Sequence, residues 1–332
     1  MADLGMTDTS FDWNGRSVLV TGAGGFVGSW LTKALIERGA TVACLLLSDE
    51  SEGKLARHGV LDSVTVVRGD LVDLDCVTRA VADHAHDACF HLAAQAIVGV
   101  ANASPLRTLE TNIQGTWNVL EGCRTANVER IVVASSDKAY GDQDVLPYTE
   151  DMPLAAVFPY DASKACADIL ARSYARTFGL PLAVTRMANI YGGADTNDSR
   201  IVPGTVLALL AGESPLIRSD GSPVRDYMYV DDAVAAFLAL AERLPEPEIA
   251  GRAFNFGTNA PVSVLELVEL IIETSGRTDI EPTVLSPTKL HGEIDRQYLD
   301  SSKARELLGW EARTPLREGI KRTIAWYAAD EG

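Results

Sequence analysis

Two short groups of residues carry the side chains that can do chemistry. Ser136, Asp137 and Lys138 stand at the end of one apolar run, and further along Tyr160 precedes Lys164 by four positions. Residues four apart share a face of a helix, so the ammonium is expected to lie near the phenol and lower its pKa. A tyrosine tuned in this way can remove the proton of a substrate hydroxyl near neutral pH. The pattern therefore predicts oxidation of an alcohol, with Tyr160 as base and Ser136 as hydrogen-bond partner of the hydroxyl.

Asp137 and Lys138 add an acid and an amine that simple alcohol oxidation does not need. A carboxylic acid beside the reacting centre can protonate a leaving group. An amine can remove a proton if burial or a neighbouring charge lowers its pKa. The pair therefore indicates a reaction in which oxidation is only the first step. An ordinary polar turn between a strand and a loop is the alternative interpretation of these two residues.

Gly22, Gly25 and Gly28 follow a short β-branched run and precede a helix predicted to begin near Phe26. Glycines let the backbone approach a pyrophosphate, and the free N–H groups at the start of a helix attract the same anion. In this strand–turn–helix context the spacing predicts a dinucleotide site. The end of the second strand carries leucines, with neither an acid for a ribose hydroxyl nor an arginine for a 2′-phosphate. NAD is therefore favoured, with NADP as the alternative.

The elements that must position these residues alternate between strands and helices. Strands are predicted at 16–20, 41–47, 64–67, 88–92, 131–134 and 182–185, and helices at 30–38, 76–85, 105–126 and 163–178. Such alternation predicts an α/β fold with a doubly wound parallel sheet of the Rossmann type, whose ligands bind at the carboxyl ends of the strands. Asp70, at the end of the third strand, is predicted either to meet the adenine or to cap the next helix.

After about residue 189 the sequence becomes richer in glycine, proline and loops, with separate strands predicted at 225–230 and 254–256. We therefore expect a smaller C-terminal α/β lobe that holds the substrate. The predicted domains are 1–188 for the cofactor, with a contribution from about 226–258, and 189–332 mainly for the substrate. A length of 332 residues fits two lobes better than one compact core.

The composition limits the partners of the chain. A formal net charge of -17 argues against nucleic acid or an anionic membrane, and means that an anionic substrate needs a local basic pocket. No apolar stretch reaches the length of a membrane span, and residues 1–5 lack the pattern of a secretion signal. Five unpaired-looking cysteines predict reduced thiols, mostly in the core, and hence a cytoplasmic protein. The five histidines predict no metal site, and His91 is expected to be structural.

Taken together, these motifs resemble the extended short-chain dehydrogenase/reductase superfamily of nucleotide-sugar enzymes over nearly the whole chain. Further segments that carry the resemblance are 91–95 (HLAAQ), 111–116 (TNIQGT), 140–141 (YG), 186–192 (RMANIYG), 225–227 (RDY) and 307–310 (LLGW). Within it, the F-x-W at 11–13, the GSWL at 28–31 and the SDK at 136–138 are most similar to CDP-glucose 4,6-dehydratase. The chain departs from that family at 23–24, 27 and 196, which leaves the nucleotide and the sugar open.

This resemblance implies an NAD-dependent nucleotide-sugar 4,6-dehydratase that acts on CDP-glucose or a related sugar. Tyr160 would remove the C4 hydroxyl proton as C4 is oxidised, and Lys164 would hydrogen-bond the nicotinamide ribose. Lys138, or a water that it orients, would remove the C5 proton while Asp137 protonates the leaving C6 hydroxyl. Hydride return to C6 gives a 4-keto-6-deoxy sugar. A 4-epimerase or a decarboxylase on the same fold is the alternative, and the run at 189–192 fits an epimerase at least as well.

The resemblance also implies the binding residues. It places the cofactor against Gly22, Gly25, Phe26, Val27, Gly28, Asp70, Leu71, Leu92, Ala93, Ala94, Gln95, Asn112, Tyr160 and Lys164. The nucleotide-sugar substrate would contact Ser136, Asn189, Arg225 and Arg296, since an arginine fork suits a diphosphate. Helices near 105–126 and 163–178 would pair across a two-fold axis as the four-helix bundle of a homodimer. The alternative is that their apolar residues only face the sheet.

Overall fold

A computed structural model describes residues 11–288 and 294–330 of the protein. The expectations for residues 1–5, for His291 and for the outermost parts of the predicted domains lie outside this described part. Its strands are β1 (Ser17–Thr21), β2 (Thr41–Leu46), β3 (Val64–Arg68), β4 (Ala88–His91), β5 (Arg130–Ala134), β6 (Leu182–Met187), β7 (Asn189–Tyr191), β8 (Leu216–Ile217), β9 (Val224–Arg225), β10 (Tyr227–Tyr229), β11 (Ala253–Phe256), β12 (Val262–Ser263), β13 (Thr283–Val284) and β14 (Arg296–Gln297). The strands predicted before residue 189 are all present, with their ends shifted by no more than two residues.

The main sheet has seven strands in the order β3-β2-β1-β4-β5-β6-β11, and each neighbouring pair is parallel. The chain runs outward from β1 to β3 and then crosses back to place β4 on the other side of β1. This topology confirms the predicted α/β fold with a doubly wound sheet of the Rossmann type. In such sheets the ligand crevice opens where the carboxyl ends of β1 and β4 diverge.

The helices are α1 (Phe26–Glu37), α2 (Gly53–Arg57), α3 (Leu74–His84), α4 (Val98–Ala103), α5 (Pro105–Leu109), α6 (Gly115–Ala126), α7 (Pro159–Phe178), α8 (Ile201–Ala211), α9 (Val230–Arg243), α10 (Val264–Ser275), α11 (Ser302–Leu308) and α12 (Leu316–Asp330). A π-helical stretch over Glu110–Gln114 joins α5 to α6, so the helix predicted over 105–126 is nearly continuous. Helix α7 begins at Pro159, four residues earlier than predicted. Proline suits this first position because no N–H partner is needed there, and Tyr160 therefore lies in the first helical turn.

The residue that caps α3 is Asp73, whose carboxylate accepts a hydrogen bond from Cys76 N at 3.0 Å. Asp70 instead pairs with Arg107 of α5. The capping role considered for Asp70 is therefore wrong, because α3 begins at Leu74 and the residue just before it is Asp73. Its carboxylate stays at the carboxyl end of β3, where the adenine contact was predicted.

Both faces of the main sheet are buried. One face packs on α1 and α9 through residues such as Val20, Leu35 and Phe237. The other face packs on α3, α6 and α7 through residues such as Leu19 and Val119. Successive strand residues point to opposite faces, so Leu19 and Val20 enter different cores. Burial on both sides explains why the strands are continuous apolar runs in the sequence.

The C-terminal part contributes both to this sheet and to the smaller lobe. The strand predicted as separate at 254–256 is β11, which pairs with β6 at the edge of the main sheet. The strand predicted over 225–230 is divided into β9 and β10 because Asp226 between them turns inward and accepts a hydrogen bond from Thr258 N at 2.9 Å. Strand β9 pairs with β12 and β14, and β10 pairs with β7. A third apolar core with α8, α10 and α12 supports these short strands.

All five cysteines are free thiols, as predicted, but they are not all in the core. Cys166 is exposed on α7, whereas Cys44, Cys89 and Cys123 are buried. His91 is structural, as predicted: its two ring nitrogens lie 2.7 and 3.0 Å from threonine hydroxyls, and burial lowers its pKa to about 3. Among the described residues, no helix is both long and apolar enough to cross a membrane, and no acidic, His and Cys group could hold a metal.

Candidate active site

A cavity of about 580 Å³ opens at the carboxyl ends of the main-sheet strands, where the sequence places the cofactor. Every predicted cofactor residue except Asn112 lines it. Asn112 lies behind the wall, where its Oδ1 accepts from Gln95 N at 2.7 Å and its Nδ2 donates to Ser163 Oγ at 2.8 Å. It therefore ties the loop after β4 to α7 and supports the cavity from behind.

The glycine turn forms a part of this wall that only backbone can occupy. Gly22 has φ +77°, and a Cβ there would lie 2.6 Å from Ala93 N. A Cβ on Gly28 would lie 2.1 Å from Gly22 O. Helix α1 begins after Gly25 without a side-chain capping hydrogen bond, and the residues of its first turn, 26–28, line the cavity. These features fit a dinucleotide pyrophosphate, because backbone donors and a helix start bind that anion.

The far end of the cavity, beyond the glycine turn, has walls that the sequence predicted only in part. Leu45, Leu46 and Leu47 line it where many related sites carry an acid. Asp70 and Arg107 also line it, and their side chains form an ion pair. No signal pointed to Arg107, because α5 approaches Asp70 only in the folded chain.

A second cavity, of about 800 Å³, adjoins the first and shares Tyr160 with it. Ser136, Asp137, Lys138, Asn189 and Arg225 line this cavity, as do residues of α4 and of the loop before α8. The structure thus brings the two separate polar groups of the sequence to one wall. Arg296 is the exception among the predicted substrate residues: its side chain is exposed on β14 and is not part of the lining.

Asp137 and Lys138 stand side by side in a 3₁₀ turn, Asp137–Tyr140. Ser136 Oγ donates to Asp137 Oδ1 at 3.0 Å and accepts from Lys138 N at 3.3 Å. Lys138 Nζ lies 3.5 Å from Asp137 Oδ1 and 3.2 Å from Asn189 Oδ1. Asp137 is almost fully buried, and its carbonyl accepts from Gln297 Nε2 at 3.2 Å. An acid and an amine are therefore held together at the wall of the second cavity.

Tyr160 is half-buried and lines both cavities, whereas Lys164 is buried and lines the first. Burial lowers the pKa of Lys164 to about 8, and Asp168 opposes that shift. Burial, followed by the Asp137 carboxylate, raises the pKa of Tyr160 to about 12. The predicted lowering of the phenol pKa by Lys164 is thus not seen in this structure, where burial has the larger effect on Tyr160. Lys164 Nζ donates to Ala134 O at 2.5 Å.

Besides Arg107, two further arginines of the cavities were not predicted from the sequence. Arg200 lines both cavities and pairs with Asp195 at 2.9 Å, and it lowers the pKa of Tyr160 against the effect of burial. Arg218 lines the second cavity, and its Nη1 donates to Ser199 O at 3.0 Å. With Arg225 they give this acidic chain a local basic pocket, which an anionic substrate requires. They sit in loops with no recognisable spacing.

The family model that matches residues 18–257 is described as the NAD dependent epimerase/dehydratase family. The chain belongs to this family. NAD is accordingly its cofactor, in agreement with the glycine turn and the leucine-lined far end of the first cavity. The predicted extended short-chain dehydrogenase/reductase superfamily is confirmed.

Relatives of both predicted reaction types match the chain over most of its length. The UDP-glucose 4-epimerase of Mycolicibacterium smegmatis is 36% identical over 315 residues, which cover 93% of this chain and 97% of that protein. The CDP-glucose 4,6-dehydratase of Salmonella typhimurium is 30% identical, covering 98% of this chain and 93% of its own. The dTDP-glucose 4,6-dehydratase of Streptomyces venezuelae, solved with NAD, is 29% identical with a TM-score of 0.83, over 95% of this chain and 98% of its own. Family members are therefore nucleotide-sugar dehydratases and epimerases.

Proposed function

We propose that the chain is a nucleotide-sugar 4,6-dehydratase that converts CDP-glucose or a related hexose into the 4-keto-6-deoxy sugar. The observation that supports this most directly is the acid–amine pair, with Lys138 Nζ 3.5 Å from Asp137 Oδ1. Both residues line the same cavity as Tyr160. Oxidation at C4 needs one acid–base group, the tyrosine. Loss of water across C5 and C6 also needs a base for the C5 proton and an acid for the C6 oxygen.

The side chains of the site divide this work between them. NAD, when bound, supplies the acceptor that takes hydride from C4 and returns it to C6. Tyr160 removes the proton of the C4 hydroxyl, which Ser136 orients. Lys138, or a water that it orients, then removes the C5 proton as Asp137 protonates the C6 oxygen. The C6–O bond breaks, water leaves, and a proton returns to C5, so the product differs from the substrate by one water.

The charges of the second cavity support a nucleotide diphosphate as the bound group. We propose that Arg200, Arg218 and Arg225 contact the diphosphate, since one guanidinium can donate two parallel hydrogen bonds to phosphate oxygens. Asn189 completes the proposed contacts on the side of Lys138. We leave Arg296 out because its side chain is exposed and does not line the cavity.

The division of the chain follows the same cavities. We propose that residues 1–188 form the cofactor domain together with about 226–258, which carry α9 and β11 onto the main sheet. The remainder of 189–332 is proposed as the substrate lobe. The carboxyl ends of the main-sheet strands thus lie between the two.

A nucleotide-sugar 4-epimerase is the second candidate function. It is favoured by the 36% identity to the M. smegmatis UDP-glucose 4-epimerase. An epimerase would use Tyr160, Lys164 and Ser136 in the same way. It would need no proton transfer at C5 or C6, the role proposed for Lys138 and Asp137, which is why the dehydratase is preferred.

The test is the mass of the product after incubation with NAD and a panel of nucleotide sugars, beginning with CDP-glucose. Loss of one water would support the dehydratase and identify its substrate. An unchanged mass with inverted stereochemistry at C4 would favour the epimerase. Loss of carbon dioxide from a uronic acid would indicate a decarboxylase.

Asp137→Asn tests the role of the acid. We expect water loss to fall by about 10²- to 10⁴-fold, the usual range for a general acid, while C4 oxidation remains measurable. Asp142→Asn is the matched control, because Asp142 follows the same turn but is exposed. Unchanged water loss in Asp137→Asn would contradict the proposed role of the carboxyl.

We also propose that the protein is a homodimer built on α5, α6 and α7. Exposed apolar side chains, which a partner helix would cover, stand on these helices: Leu106 at 67%, Trp117 at 42% and Ile169 at 51% exposure. Isolated exposed apolar residues are ordinary, but several on helices that pack against one another support an interaction surface. Sedimentation of the protein and of Trp117→Asp measures this directly, and a monomeric parent protein would contradict it.

A further inference from the structure

A buried polar network, unused by the chemistry proposed above, lies behind the acid–amine turn. Arg186 of β6 donates from Nε and Nη2 to the two carboxylate oxygens of Asp168, at 2.8 and 3.0 Å. Its Nη1 donates to the Tyr140 hydroxyl at 2.8 Å, and that hydroxyl donates to Asn255 Oδ1 of β11 at 2.7 Å. Arg186, Asp168, Tyr140 and Asn255 are each at most 1% exposed. One guanidinium therefore joins β6, α7 and the turn, and the tyrosine extends the network to β11.

The residues of this network belong to the same elements as the candidate catalytic residues. Tyr140 closes the 3₁₀ turn that Asp137 begins. Asp168 lies one helical turn after Lys164 on α7, the helix that also carries Tyr160. The network therefore fastens the turn that bears the acid and the amine to the helix that bears the phenol.

On the side of the cavities, a second set of hydrogen bonds joins α7 to the end of β5, just before the turn. Ser135 Oγ donates to Lys164 O at 3.2 Å, and Lys164 Nζ donates to Ala134 O. These bonds hold the end of β5 to α7, but they act before the turn begins. The turn itself also packs directly against α7, and the Tyr140 hydroxyl and Arg186 add a hydrogen-bonded link between the two. A change at that hydroxyl would thus affect the far end of the turn first.

Stability alone is a poor reason for such a network. Burying an ion pair costs desolvation energy that its attraction often only just repays, so apolar replacements are frequently as stable. A fully hydrogen-bonded buried network does, however, make one arrangement of its elements rigid. The Arg186 guanidinium also lies 4.8 Å from the centre of the Tyr140 ring, which further restricts that side chain. We therefore expect the network to fix the relative positions of the turn and α7 rather than to add stability.

We propose that Tyr140, Arg186 and Asp168 are positioning residues that set Asp137 and Lys138 against the bound sugar relative to Tyr160. The inference rests on the proposed dehydratase function. Oxidation at C4 depends on Tyr160, which α7 holds directly, whereas proton transfer at C5 and C6 depends on the turn. Loss of the Tyr140 tether is thus expected to slow elimination selectively, since a shift of about 1 Å in catalytic groups can cost about 10²-fold.

Tyr140→Phe is the variant of choice because it removes only the hydroxyl. Arg186 keeps both bonds to Asp168 and a third to Glu150 O at 3.2 Å, so its charge stays paired. The comparison uses the holoenzyme with whichever nucleotide sugar the parent protein dehydrates. Three quantities are measured: the rate of water loss, the cofactor absorbance change that accompanies C4 oxidation in a single turnover, and KM. Thr323→Val is the control, since it likewise removes one buried hydroxyl. That hydroxyl lies in the remote helix α12, where it donates to Gly319 O.

We expect water loss by Tyr140→Phe to fall about 10-fold or more, with C4 oxidation and KM close to those of the parent and of the control. Unchanged water loss would overturn the proposal. So would an equal loss of both steps, because that pattern indicates a structural role that affects the whole site. A parent protein that releases no water from any nucleotide sugar would instead overturn the proposed function, and the inference with it.

Discussion

The two cavities of the protein are built in different ways. The first is formed at the ends of β1 to β5 by backbone and small residues, above all the turn over Gly22–Gly28. The second is formed by segments far apart in the chain, from α1 to α10, and charged side chains distinguish its wall. A Cβ cannot be added at Gly22 or Gly28 without a contact below 3 Å. The second cavity has no comparable steric requirement and depends on where loops bring Arg200 and Arg218.

This difference separates a site that is common to a family from one that can vary within it. A cradle of backbone donors recognises a pyrophosphate whatever the substrate, so it suits one shared cofactor. Charged side chains on loops can be exchanged without disturbing the sheet that supports them. Relatives that act on UDP-glucose and on CDP-glucose accordingly match this chain over 93% and 98% of its length.

The largest effect is expected from Tyr160, which belongs to both cavities. Tyr160→Phe removes the base and should lower turnover by about 10²- to 10⁴-fold, the range for loss of a general base. Tyr160 is half-buried, and the substitution removes only its hydroxyl, so the fold and the NAD content should stay close to those of the parent. Steady-state turnover and bound NAD are the measurements. Near-normal turnover would refute the whole catalytic scheme.

The buried Lys164 of the first cavity is expected to make stability depend on pH. Its pKa is about 8 in the folded protein against an ordinary 10.5, so between these values the unfolded chain binds a proton that the folded chain does not. The unfolding free energy should therefore rise with pH across this window, by an amount on the order of 3 kcal/mol for this group. Lys164→Met should lack that rise. Urea unfolding of both NAD-free proteins from about pH 7.5 to about pH 10.5 isolates the difference, and parallel curves would contradict the prediction.

The first cavity could be predicted from the sequence almost completely. Consecutive strands of a doubly wound sheet end at one edge, so Gly22, Asp70 and Leu92 must meet there once their strands are recognised. Asn112 did not fit, because its motif suggests a contact but the π-helical stretch before α6 places it behind the wall. Arg107 could not be found, since its partner Asp70 is distant in sequence.

The second cavity could be predicted only where a motif marks it. The Ser136–Lys138 triplet was identified because it follows β5 of the main sheet. Tyr160 was identified because it lies at the start of α7, which packs on that sheet. Arg200 and Arg218 lie in loops whose path depends on the packing of the smaller lobe, and no periodicity describes it. Arg296 shows the opposite error: it was predicted to contact the substrate, but its side chain is exposed and does not line the cavity.

Gly28→Ala tests whether the first cavity depends on backbone space. The new Cβ would lie 2.1 Å from Gly22 O, so the turn has to move, which is expected to cost about 1–3 kcal/mol of unfolding free energy and much of the bound NAD. Gly53→Ala is the matched control, since Gly53 has helical angles and nothing within 4 Å of an added Cβ. Urea unfolding and the NAD content after purification are compared. Equal values for the two variants would show that the close contacts of the turn are not required.

The smallest effect is expected at the far end of the same cavity, where a side-chain pair replaces backbone. Arg107 and Asp70 are 46% and 31% exposed, and such pairs contribute about 0.2–1 kcal/mol. Arg107→Ala should therefore weaken NAD binding by about fivefold at most. Arg124→Ala, which breaks the similarly exposed pair with Glu121 away from both cavities, is the control for calorimetric titration with NAD. A loss above tenfold would mean that the first cavity, too, depends on charged side chains, and the contrast between the two cavities would no longer hold.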